Sequence, residues 1–168
     1  MAEVESRVGV GVASSLPVGP AGCAGSTRSP ASAPYRATVL LRRADGLLSE
    51  AAGASMPDER FRCAYLSALK GAAAVLAACE GAARVASGRR PRSRSAWVLL
   101  ARAAPEFAAW ADYFAEHSAL RAAVESGVTR SIDGVAADRF YGEVGRFLIA
   151  VDDLLAGAGR HAVDAGTG

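Results

Sequence analysis

The sequence predicts an all-α protein, a bundle of four to five helices that run mostly antiparallel. Alanine, the strongest helix former, fills 39 of the 168 positions. Apolar residues recur at steps of three and four along successive segments, the period of a helix with one buried face. No two runs alternate apolar and polar residues about a tight turn, as a β-hairpin requires. A chain of 17.1 kDa builds one core of ordinary size, and amphipathic helices in such a chain cover their stripes against one another.

Residues 1–33 read as a disordered arm, broken by Pro17, Pro20, Gly22, Gly25 and Pro30 and poor in large apolar side chains after Leu16. A helical domain follows over 34–156. Its first helix spans Tyr35 to about Ala52, with Val39, Leu40, Leu47, Leu48 and Ala51 as its stripe, and Gly46 leaves open one bent helix or two short ones. Asp58 and Glu59 then place negative charge at the positive end of a long helix over about 57–86. Phe61, Tyr65, Ala68, Leu69, Ala72, Leu76, Cys79 and Ala83 step along one side of it, with Ala64 and Val75 widening the stripe. After an Arg/Ser/Pro loop, Ser95 caps a helix carrying Trp97, Leu99 and Leu100, and Pro105 either bends it or opens a new one. Phe107, Trp110, Ala111 and Phe114 resume the stripe. His117 and Ser118 read as a break, with Ser118 capping a short helix through Leu120 to Glu125 before Gly127 stops it. The last helix begins near Ser131 or Asp133, carries Ala136, Phe140, Val144, Phe147, Leu148, Val151, Leu154 and Leu155, and ends at about Ala156. Residues 157–168, rich in glycine, read as a flexible tail.

Net charge is +2, unevenly spread: residues 1–94 hold thirteen basic against seven acidic residues, and residues 95–168 six against ten. Opposite halves suit contact between subunits as well as a nucleic-acid partner. No uncharged apolar window approaches the length of about 20 residues that a bilayer crossing needs, and Glu3 and Glu5 open a poor secretion signal. The expectation is a cytoplasmic protein without a membrane partner. Cys63 and Cys79 lie sixteen residues apart on one expected helix, roughly 24 Å at 1.5 Å per residue, too far for a disulfide.

Candidate chemistry is sparse. His117 and His161 stand in no metal-binding spacing, and Gly9, Gly11 and Gly19 make no phosphate loop, so neither metal nor cofactor is expected. His117, read near a helix end, suits a capping or surface role. Asp112, Glu116, Asp138 and Glu143 lack the Glu-x-x-His ligands of a di-metal bundle. Arg84, Arg89, Arg90, Arg92 and Arg94 place five positive charges within eleven residues with no acid among them, a candidate phosphate contact. Tyr65, Trp97, Trp110, Tyr113 and Phe114, with His117, are the candidates for an interface or a ligand pocket, against the alternative that they pack the core.

The order of segments adds a family. The stretch Arg62–Ala77 (RCAYLSALKGAAAVLA), the Arg-rich loop, Ser95–Glu106 (SAWVLLARAAPE) and the closing Phe147-Leu148 helix together resemble a HEPN-type helical family found in actinobacteria, over about Tyr35 to Ala156. The resemblance implies a four- or five-helix bundle, dimerisation, and a connection to nucleotide binding, RNA or toxin–antitoxin systems. HEPN ribonucleases carry an arginine followed by a histidine with four to six residues between them. The matching positions here hold Trp110, Ala111 and Asp112 before His117, and Leu154, Leu155 and Ala156 before His161. The ribonuclease role therefore carries over to no residue of this chain.

The leading expectation is a non-catalytic bundle acting through association, as a homodimer or with a partner protein. Its contacts would be the Trp97/Trp110/Phe114 region or a long helix face, with the arginine loop as an electrostatic contact. The alternative is a nucleotide or RNA-binding module using the arginines. An enzyme assembled from Glu106, Asp112, Tyr113 and His117 is the weakest reading.

Overall fold

The computed structural model describes residues 32–83, 95–127 and 132–164. They form five α-helices: α1 (Ser32–Gly53), α2 (Pro57–Ala83), α3 (Ala96–Ala103), α4 (Ala108–Glu125) and α5 (Gly134–Asp164). A 3-10 turn, Pro105–Phe107, joins α3 to α4, and no strand occurs among the described residues.

α1 and α2 are an antiparallel hairpin that meets along small side chains. Ala37, Ala44 and Ala51 of α1 are fully buried, as are Ala64, Ala68 and Ala72 of α2. The expected stripe of α1 is displaced: Val39, Leu40, Leu47 and Leu48 are half-buried, because close approach of two helices selects alanine for the contact line and leaves larger residues to flank it. The helix runs unbroken through Gly46 and begins at Ser32. The hydroxyl of buried Ser67 donates to the Ala44 carbonyl at 2.8 Å, tying the two helices at mid-length. Arg60 closes the hairpin's end, donating to the carbonyls of Ala54 at 2.8 Å and Ala51 at 3.4 Å while pairing with Asp138 of α5. One guanidinium thus ties the Ala51 carbonyl, which also accepts from the Ala54 N–H at 3.3 Å, and the Ala54 carbonyl in the turn after α1 to Asp138 of α5.

α5 lies beside α2 and runs parallel to it, as the pairs Arg60–Asp138 and Gly71–Phe147 advance together along both helices. α4 runs antiparallel to both. α2 is therefore covered on several sides, and Cys63, Ser67, Ala74 and Ala77 join its buried set. Its segment Pro57–Glu80 is long and apolar enough to span a membrane by length and composition; 56% of that window is buried in the bundle, which makes it the core helix here. On α5 the buried alanine is Ala137 and not Ala136, which is exposed.

Pro105 divides two helices. Ala104 leaves helical geometry at φ −141° and ψ 84°, and Pro105 starts the 3-10 turn where its missing N–H costs nothing. The expected break at His117 and Ser118 is absent, since α4 is continuous to Glu125. Ser118 does not cap a new helix: its hydroxyl bonds the Phe114 carbonyl one turn back at 3.3 Å, a geometry that leaves the helical ladder intact. Gly127, at φ 69°, ends α4 in the left-handed conformation glycine adopts without strain. Asp133 caps α5, its carboxylate accepting from the Ala136 N–H at 3.3 Å. Asp58, in the first turn of α2, accepts from the Ile132 N–H at 2.6 Å and holds the approach to α5. α5 continues past Ala156 to Asp164, and α1 runs antiparallel along it, as Leu48 beside Gly145 and Asp45 near Asp152 mark out.

Candidate functional site

The candidate aromatic residues divide into two groups. Tyr65, Trp97 and Phe114 are buried in the core. The polar atoms of Trp97 and Tyr65 are joined with Ser118 in one hydrogen-bonded chain. The Trp97 indole can only donate, and it donates to the Tyr65 oxygen at 2.9 Å. The Tyr65 hydroxyl shares a hydrogen bond with Ser118 Oγ at 2.7 Å, and both hydroxyls lie within reach of the Phe114 carbonyl, at 3.4 Å and 3.3 Å. This chain fixes α2, α3 and α4 in register. Removing one member would leave a buried partner unsatisfied at about 1–3 kcal/mol. Above it, the Arg121 guanidinium lies 5.1 Å from the centre of the Tyr65 ring and pairs with Glu125 at 2.8 Å.

Trp110, Tyr113 and His117 form the second group, half-buried along the seam between α4 and α5. Trp110 packs on Phe107 and Phe147, with ring centres 5.7 and 5.8 Å apart. Tyr113 and His117 contact each other at 4.4 Å and both reach Phe140. His117 lies inside α4, not at its end, so the capping role is replaced by packing in an aromatic wall. Its Nδ1 is 2.7 Å from the Tyr113 carbonyl. A carbonyl only accepts, so Nδ1 carries the proton and, in the neutral ring, Nε2 keeps the lone pair. Burial pushes the Tyr113 phenol above its ordinary range, and Glu143 adds to the shift.

A model of the SAV_6107-like HEPN family matches residues 51–152, well over half the chain. The chain belongs to the SAV_6107-like HEPN family. The match takes in the last turn of α1, all of α2 to α4 and α5 as far as Asp152, and so contains both groups of aromatic residues. No curated protein and no solved structure matches this HEPN chain.

The remaining candidates of this HEPN bundle are dispersed. Arg84, Arg89, Arg90, Arg92 and Arg94 lie outside the described residues, as do His161's side chain, Cys23 and the arm over 1–31. Glu106, Asp112, Glu116 and Asp138 are exposed, Asp138 pairing with Arg60; Glu143 is half-buried and pairs with Arg146. Among the described residues no three His, Cys, Asp or Glu side chains stand together as metal ligands. Cys63 is buried and its thiol is pushed up by burial first and by Glu59 second; burial likewise raises the half-buried Cys79. A raised thiol pKa means less thiolate, the reactive form.

Sequence reasoning passed over the outer face of α5. Val135 and Ile149 are 66% and 65% exposed there, the exposed large aliphatic residues among the described side chains of that helix. Their spacing of fourteen residues, two heptads apart on the polar side, was the available signal.

Proposed function

We propose that this HEPN bundle is non-catalytic and works by association with another protein surface. The observation that carries the reading is the outer face of α5, where Val135 and Ile149 stand in water among charged residues. The bundle covers the buried apolar stripes and leaves this pair exposed, as it does Tyr35 and Met56 elsewhere; apolar side chains in a polar rim are what association covers. Tyr65, Trp97 and Ser118 already satisfy one another, which supports giving those residues a structural role. The test is the native mass of the full chain, purified across micromolar concentrations and in extracts of cells expressing it at low level. A species heavier than the 17.1 kDa monomer in either setting is expected; monomer in both removes the reading.

A second reading, RNA or nucleotide binding, is favoured by family membership and by the five arginines over 84–94. Its test is fluorescence anisotropy with a labelled single-stranded RNA. Affinity should fall steeply between about 50 and about 200 mM salt and vanish when the five arginines become glutamine; no binding at the lower salt rejects it.

A further inference from the structure

Trp110, Tyr113 and His117 follow one another at steps of three and four along α4, on the edge that meets α5. Phe140 and Phe147 of α5 floor the seam beneath them. All three rings are half-buried, so part of each stays open to water. Tyr113 stands among Glu143, Arg139 and Arg146 of α5, and burial, which pushes its phenol upward, leaves it a donor at neutral pH. Among the described residues neither the Trp110 indole N–H nor the Tyr113 hydroxyl has a hydrogen-bond partner, and no buried polar side-chain atom lacks one, so both donors open onto water. Aromatic walls with free donors at their rims are what a polyproline II segment docks on: its carbonyls, which make no internal hydrogen bonds, accept, and its proline rings lie on the aromatic faces.

We infer that Leu16–Pro20 of this chain's own arm, the sequence LPVGP, docks along that seam as a polyproline II segment, with Pro20 beside Trp110 and Pro17 beside His117. The two prolines are three residues apart, one turn of that helix and about 9 Å at 3.1 Å per residue. Trp110 and His117 are seven residues apart on α4, about 10.5 Å at 1.5 Å per residue, with Tyr113 between them. The proline repeat thus matches the ring repeat. Reach sets the direction. α1 begins at Ser32 and runs antiparallel to α5, with Asp45 near Asp152. Ser32 stands thirteen residues before Asp45, and Phe147, against which Trp110 packs, five before Asp152. Roughly 27 Å of helix axis therefore separates the start of α1 from the level of Trp110. The eleven residues 21–31, at about 3.3 Å each, span roughly 36 Å. That leaves about 24 Å sideways, two helix diameters, to pass around α5. His117 lies farther down the seam, so Pro20, the nearer proline, meets Trp110. A tether this short holds its segment at an effective concentration on the order of millimolar, an advantage over a proline-rich segment from elsewhere. The seam is separate from Val135 and Ile149, and its cover does not depend on association.

The experiment is paramagnetic broadening measured by NMR on the full-length chain, with a nitroxide on Cys23, three residues beyond Pro20. Cys79→Ala leaves buried Cys63 as the other thiol, and mass spectrometry checks that each chain carries a single label. The amide signals of Tyr113, Arg139 and Arg146 should broaden several-fold more than those of Ser49 and Glu50, exposed residues at a similar height on α1 that a free arm would reach as readily. Pro17→Ala with Pro20→Ala in the same chain should abolish that difference and leave the helicity seen by circular dichroism unchanged, both prolines lying ahead of α1. Broadening equal on the two sides, or absent from the seam, overturns the proposal, as does a seam preference that survives the loss of both prolines. Mixing the labelled chain with an unlabelled, isotope-enriched one identifies the source. Seam signals that broaden in the mixture assign the segment to a second copy and overturn docking by the chain's own arm; seam signals that stay sharp there support it.

Discussion

Gly71 is the position in the bundle where a single atom decides packing. An ideal Cβ there would lie 2.6 Å from Leu148 Cδ2 and 2.7 Å from Phe147 Cε1, both on side chains held in the core. Gly71→Ala improves helix propensity by about 1 kcal/mol, but the overpacking it forces costs about 1–3 kcal/mol. The expected result is a net loss, read as a lower urea midpoint with an unchanged slope. Asp45 offers a test of opposite sign. Burial, and then the nearby charge of Asp152, raise its pKa in the folded state. The folded protein thus holds this proton more tightly than the unfolded chain does, so the carboxylate's penalty is absent in acid, grows as pH rises above the unfolded value, and is complete above the folded one. Asp45→Asn should raise Tm at pH 7 by an amount of the order of 1–2 °C, matching about 0.5 kcal/mol at a surface site. The gain should disappear as pH falls below the ordinary aspartate range.

At the scale of the element, helix ends show the clearest cause and effect. Asp133 holds the start of α5 through the Ala136 N–H, and Asp133→Ala should cost about 0.5–2 kcal/mol in thermal unfolding followed by circular dichroism. The helices themselves were legible in the sequence, because a period of three and four survives any arrangement of neighbours: α2, α3 and α5 begin within a residue or two of their expected starts. What was not legible depended on the neighbour. Ser118 reads as a cap until Tyr65 is known to stand 2.7 Å away. The alanine line of α1 reads as background until α2 comes close enough to make small residues the contact. The aromatic candidates looked alike in the sequence, and only the placement of α3 and α4 separates sealed Trp97 from half-buried Trp110. Arg60 was invisible as a fastener, since its three contacts come from the end of α1, the turn after it and α5.

For the molecule as a whole, two kinds of packing hold one bundle together. Alanine joins α1 to α2, while aromatic rings fill the wider space that α4 leaves against α2 and α5. Phe140 is the hub of that second layer, with ring centres 4.6 Å from Phe61, 4.9 Å from His117 and 5.8 Å from Phe114. Phe140→Ala should lower stability by about 3–5 kcal/mol in urea unfolding, since the rings around it cannot collapse together without moving their helices. The hairpin of α1 and α2 has a further consequence, in the order of events as the chain folds. Its partners are joined by residues 54–56 alone, whereas Arg60 and Asp138 are 78 residues apart. Closing the short loop loses little chain entropy, so the alanine hairpin should assemble early and α5 should dock late. Stopped-flow refolding would then show substitutions at Ala44 slowing folding, and substitutions at Val151 acting mainly by speeding unfolding.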